Sequence, residues 1–76
     1  MPRLPVTSGR EALKAVQRAG FVFDHQRGSH VTLRHPETGR RVTVPIHSGK
    51  DLKRGTLRGI IRDAGLSVEE FRRLLK

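Results

Sequence analysis

The sequence predicts an α+β domain ordered α-β-β-β-α-α, a three-stranded antiparallel sheet with its helices on one face. Three observations point there. Apolar residues recur at helical spacing near both ends, each stretch introduced by a Ser-x-x-Glu capping signal. Between Phe21 and Pro45 the pattern changes to strict alternation, the mark of half-buried strands. Gly-bearing turns divide that stretch into three short runs. Seventy-six residues with 34% hydrophobic content suffice for one modest core, so a single domain over residues 1–76 is expected.

Met1 to Thr7, with Pro2 and Pro5, is expected to form an extended arm. Ser8 and Glu11 have capping-box spacing, and Leu13, Val16 and the alanines at 12, 15 and 19 form the stripe of a short helix stopped at Gly20. The first strand carries Phe21, Phe23 and His25 on the core face, and all three phenylalanines are assigned to the core. A three-residue loop, 27–29, with Gly28 supplying a positive φ, would pair Gln26 with His30 and Asp24 with Thr32. A four-residue loop, 36–39, would pair Leu33 with Val42, Thr32 with Thr43 and Arg34 with Arg41. His30, Thr32 and Arg34 then point away from the core. After a polar loop from Ile46 to Gly55, Thr56 is expected to cap a helix with Leu57, Ile60, Ile61 and Ala64 as its stripe, closed by Gly65. Ser67 and Glu70 repeat the capping box before a terminal helix whose stripe is Val68, Phe71, Leu74 and Leu75.

Charge narrows the function. Sixteen Lys and Arg stand against seven Asp and Glu, a formal +9 with pI near 11.7, which favours a polyanionic partner, nucleic acid first. Twelve of the sixteen are Arg, the better geometric match to phosphate. Residues 25–62 hold nine of them against only Glu37 and Asp51. With no Cys, disulfides, thiolate zinc sites and cysteine nucleophiles are excluded. The longest apolar run is three residues, so no membrane segment is expected and the location is expected to be cytoplasmic.

Arg34 and Arg41, opposite each other, would gain from a polyanion that relieves their repulsion. Lys50, Lys53 and Arg54 approach a helix N-terminus able to hold a phosphate, and Arg58 continues that line one helical turn on. His30, after Gly28-Ser29 at the start of the central strand, is the side chain best suited to move a proton near neutral pH. Four His do not converge in this layout: only His30 and His47 can meet, too few ligands for a metal site. A pure RNA-binding module and a domain that meets an acidic protein remain as rivals.

Gly28-Ser29-His30, Val44-Pro45-Ile46-His47 and the run Gly49-Lys50-Asp51-Leu52-Lys53-Arg54-Gly55-Thr56-Leu57-Arg58, with Ala64-Gly65-Leu66, together resemble the HicA (YcfA-like) toxin family. Many members have a second His directly after the motif His, whereas this chain has Val31. The resemblance implies a fold similar to a double-stranded-RNA-binding domain and an endoribonuclease that cleaves mRNA without the ribosome. It further implies a HicB-type antitoxin partner and carries the catalytic role onto His30. Arg34, Arg41, Lys50, Lys53, Arg54 and Arg58 are the expected RNA contacts, with Gly28 and Ser29 as the supporting turn. Neither a metal nor a small-molecule cofactor is expected.

Overall fold

A computed structural model describes residues 3–47 and 49–76. Its elements are α1 (Gly9–Arg18), β1 (Val22–Arg27), β2 (His30–Arg34), β3 (Arg41–Pro45), α2 (Arg54–Ala64) and α3 (Val68–Leu74), with the strands in the order β1-β2-β3. Both strand pairs are antiparallel, so the expected α+β layout is the one observed. Part of the expected N-terminal arm, Met1 and Pro2, lies outside the described residues, as does Ser48 of the expected Ile46–Gly55 loop.

The helix starts follow from local chemistry. Glu11 N–H donates to Ser8 Oγ at 3.2 Å and Ser8 N–H to Glu11 Oε1 at 3.1 Å, the reciprocal pairing of a capping box. The same exchange between Ser67 and Glu70, at 3.0 and 2.8 Å, opens α3. At its other end α2 stops on Gly65 in the left-handed region, φ 73°. The start of α2 departs from expectation. Its N-cap is Lys53, without a side-chain cap, and Thr56 lies inside the first turn. The polar run therefore becomes helical at Arg54, two residues before Thr56, and the backbone donors there lack a side-chain cap.

Ala12, Ala15 and Val16 of α1, Leu57, Ile60 and Ile61 of α2, and Phe71 of α3 close over Val31, Leu33, Val42 and Val44 of the sheet. Packing is concentrated on β3, which both α1 and α2 contact. None of the helices among the described residues is long and apolar enough to cross a membrane.

The β2–β3 register is the expected one, with Leu33 opposite Val42, Thr32 opposite Thr43 and Arg34 opposite Arg41. The β1–β2 hairpin is half different. Phe23 does face Leu33, but at the turn Arg27 pairs with His30, Gln26 with Val31 and His25 with Thr32. The loop is thus two residues, Gly28 and Ser29, rather than three. Gly28, at φ 59°, occupies the position a type II′ hairpin reserves for glycine, a turn whose twist matches that of the strands. Shortening the loop shifts β1 by one place, which would turn Phe23 outward. A bulge between Phe23 and His25 absorbs the shift by inserting Asp24, so the alternation resumes correctly at Phe23.

Two further expectations fall, the first of them with that register. His25 lies on the outer sheet face, with Thr32, instead of the core face. Phe23, although on the helix side, is 57% exposed, because β1 is an edge strand and the helices pack chiefly on β3. Only Phe21 and Phe71 belong to the core, at 3% and 0% exposure.

Candidate nucleic-acid site

The outer sheet face is built by alternation. His30, Thr32 and Arg34 project from it on β2, between the buried Val31 and Leu33. Their partners Arg41 and Thr43 extend the face onto β3, and the Thr32 and Thr43 hydroxyls hydrogen-bond at 3.1 Å. On β1 the bulge adds Asp24 and His25, whose Oδ2 and Nδ1 are 3.0 Å apart. That hydrogen bond, aided by the charges of Arg41 and Arg34, holds the Asp24 carboxyl below its ordinary range. The Arg34–Arg41 repulsion is therefore already partly offset by an internal anion.

At one end of this face the sheet opens into a cleft of about 400 Å³. His30 and His47 line it together with Lys50, Asp51, Lys53 and Thr56. Two backbone bonds between distant parts of the chain explain the convergence. Ile46 N–H donates to the Ser29 carbonyl at 2.7 Å, which keeps the end of β3 beside the turn that precedes His30. Leu52 N–H donates to the Thr7 carbonyl at 2.8 Å and anchors the basic loop. Uncapped N–H groups of α2 begin at Lys53, so the cleft joins two imidazoles, two ammonium groups and the positive end of a helix. That combination suits a phosphodiester: fixed positive charge for its oxygens and imidazole for proton transfer.

Of the residues singled out in the sequence, His30, Lys50 and Lys53 meet in this cleft. Gly28 and Ser29 form the turn directly before His30. Arg34 and Arg41 lie along the outer face from it. Arg54 and Arg58 are exposed on α2 and are not among the residues lining the cleft. Asp24 and His25 were missed as site residues, since their placement depends on the bulge. The one local signal was Gly28, which permits a two-residue loop as readily as a three-residue one. Phe23 was missed as an exposed aromatic for a different reason, the lack of cover over the β1 edge.

A larger groove of about 600 Å³ runs between Arg3 and the α3 residues Arg72 and Arg73, but no imidazole lines it. Among the described residues no three His, Cys, Asp or Glu converge as metal ligands. A protein-family model described as HicA toxin of bacterial toxin-antitoxin matches residues 9–66. The match runs from the first residue of α1 past Gly65 and includes the whole sheet and the cleft. No curated protein sequence matches the chain.

Proposed function

The chain belongs to the HicA toxin family, and as the toxin of a toxin–antitoxin system it has an antitoxin for a partner; from that premise we propose that it is an endoribonuclease whose catalytic residue is His30. The observation that carries this reading is the position of His30, exposed at a cleft that also holds Lys50, Lys53 and the N-terminus of α2.

RNA brings its own nucleophile, the 2′-hydroxyl beside the scissile phosphate. His30 removes that proton, the 2′-oxygen attacks phosphorus, and the bond to the 5′-oxygen breaks. Negative charge gathers on the phosphate oxygens as this happens, and Lys53, with Arg34 or Arg41, stabilises it. Lys50, Arg54 and Arg58 hold neighbouring phosphates. Acid–base assistance of this kind contributes roughly 10²–10⁴-fold. A slow enzyme of that order stops growth nonetheless, because each cut removes a message from translation. In this reading residues 1–76 act as one unit in the cytoplasm, mRNA is the substrate, and a HicB-type antitoxin blocks the cleft.

The test is His30→Ala, followed by growth on induction and by RNA cleavage with purified protein. The variant is expected to lose toxicity and cleavage while its stability stays within about 0.5 kcal/mol, since the side chain is exposed. Wild-type cleavage is expected to continue in EDTA and to leave 2′,3′-cyclic phosphate ends. Cutting by His30→Ala at the wild-type rate, or arrest of the wild type by EDTA, overturns the mechanism.

A further inference from the structure

Cleavage by His30 alone leaves one proton unaccounted for: the departing 5′-oxygen must gain one. The β1 bulge supplies a group on the same face. His25 lies opposite Thr32, and His30 lies opposite Arg27, so the two imidazoles are diagonal neighbours across β1 and β2. Diagonal positions of an antiparallel pair stand about 7–8 Å apart, within reach of long side chains. Imidazoles standing side by side from positions so spaced can flank one phosphodiester, each within the hydrogen-bond reach of about 2.6–3.2 Å of a different oxygen.

His25 is also oriented. Its Nδ1 faces Asp24 Oδ2 at 3.0 Å, so an Nδ1 proton is held by the carboxylate and Nε2 is the nitrogen left for a substrate. Without the bulge Asp24 would face Leu33 on the core side and could not meet His25 on the outer face. The inserted residue is the one that holds the ring.

We propose that His25, positioned by Asp24, is the general acid of the cleavage, acting opposite His30 as base. The proposal rests on the reading of the protein as a ribonuclease. In the step, His30 accepts the 2′-hydroxyl proton and the new 2′-O–P bond forms as the P–O5′ bond breaks. The Nε2 proton of a protonated His25 passes to the 5′-oxygen. The products are a 2′,3′-cyclic phosphate and a 5′-hydroxyl; His30 ends protonated and His25 neutral, and solvent resets both.

The test compares ordinary RNA with RNA whose scissile 5′-oxygen is replaced by sulfur. A thiolate departs without needing a proton, so it bypasses the acid but not the base. On ordinary RNA, His25→Ala is expected to cut roughly 10²-fold more slowly or worse. On the sulfur substrate it is expected to approach the wild-type rate, whereas His30→Ala stays inactive on both. Asp24→Asn is expected to show a smaller loss that the sulfur substrate also restores, a pattern that a merely structural role would not produce. Melting temperature and RNA affinity of His25→Ala are expected to match the wild type. Wild-type rates from His25→Ala on ordinary RNA overturn the proposal and leave the ribonuclease reading intact. Sulfur rescue of His47→Ala in place of His25→Ala assigns the acid to the cleft and overturns it too. A wild type that cuts neither RNA removes both readings.

Discussion

Gly9 meets Pro45 backbone to backbone, with the Pro45 carbonyl occupying the space a side chain at Gly9 would need. The first turn of α1 is thereby set against the end of β3, the strand that leads to His47. Gly9 is buried, and its place there is a matter of room and not of backbone conformation, since it lies outside the glycines with positive φ.

Gly9→Ala is expected to cost about 1–3 kcal/mol, the range for forcing atoms into a packed site. Gly59, also helical, has open space around it apart from the tip of Arg62 at 3.8 Å. Gly59→Ala is expected to add about 0.5–1 kcal/mol through helix propensity. Urea unfolding of the two variants checks both signs, and equal effects would refute the close contact.

Phe21 and Phe23 separate in the same way. Phe21 is buried, with its ring edge-on to His35 at 5.1 Å between centroids. Phe21→Ala is expected to cost about 3–5 kcal/mol. Phe23→Ala, at the uncovered edge, is expected to cost less than about 1 kcal/mol. Chemical denaturation distinguishes the two, and comparable losses would mean that β1 is covered.

RNA affinity is expected to fall steeply with salt, because phosphate contacts release counterions. Lys53→Ala and Arg34→Ala should each weaken binding to unrelated RNA sequences alike and flatten the salt slope by about one contact. Fluorescence anisotropy from low to physiological salt provides the measurement. A slope unchanged by both variants would take these residues out of the interface.

Acid is expected to loosen the helix starts. The Ser8 backbone N–H, then its hydroxyl, holds Glu11 below its usual 4.5, and Ser67 does the same for Glu70. Above 4.5 both carboxylates are ionised in the folded and unfolded chain, and their contribution is fully present. As pH falls below 4.5 the unfolded chain takes up protons first, so stability declines down through the lowered folded values. Melting temperature measured from pH 6 to 3 should fall less in Glu11→Gln/Glu70→Gln than in the wild type. Identical acid slopes would remove the capping boxes from the acid response.

Much of the layout was legible because its causes are local. Ser8 and Glu11, like Ser67 and Glu70, satisfy each other's backbone within one turn, so residue spacing alone places the start of α1 and α3. The β2–β3 register follows from burial on one face and a four-residue loop, and His30 is outward for the same reason. The family-bearing blocks are likewise runs of sequence, and they place His30 and the basic loop without knowledge of the fold.

Tertiary structure decided what depends on a choice between local solutions. A two-residue turn at Gly28 plus a bulge at Asp24, and a three-residue turn without one, bury the same Leu33 and Val31, so alternation alone does not choose between them. The twist of the hairpin chose the shorter turn, and the bulge then placed Asp24 and His25 on the outer face. Coverage is likewise a property of the assembled helices: α1 and α2 pack on β3, leaving Phe23 exposed on an edge that its sequence pattern marks as core. The meeting of His30 with His47 continues the legible β2–β3 register, but the basic loop reaches the same cleft through Leu52 tied to Thr7, a backbone bond between residues 45 positions apart that no side-chain pattern records.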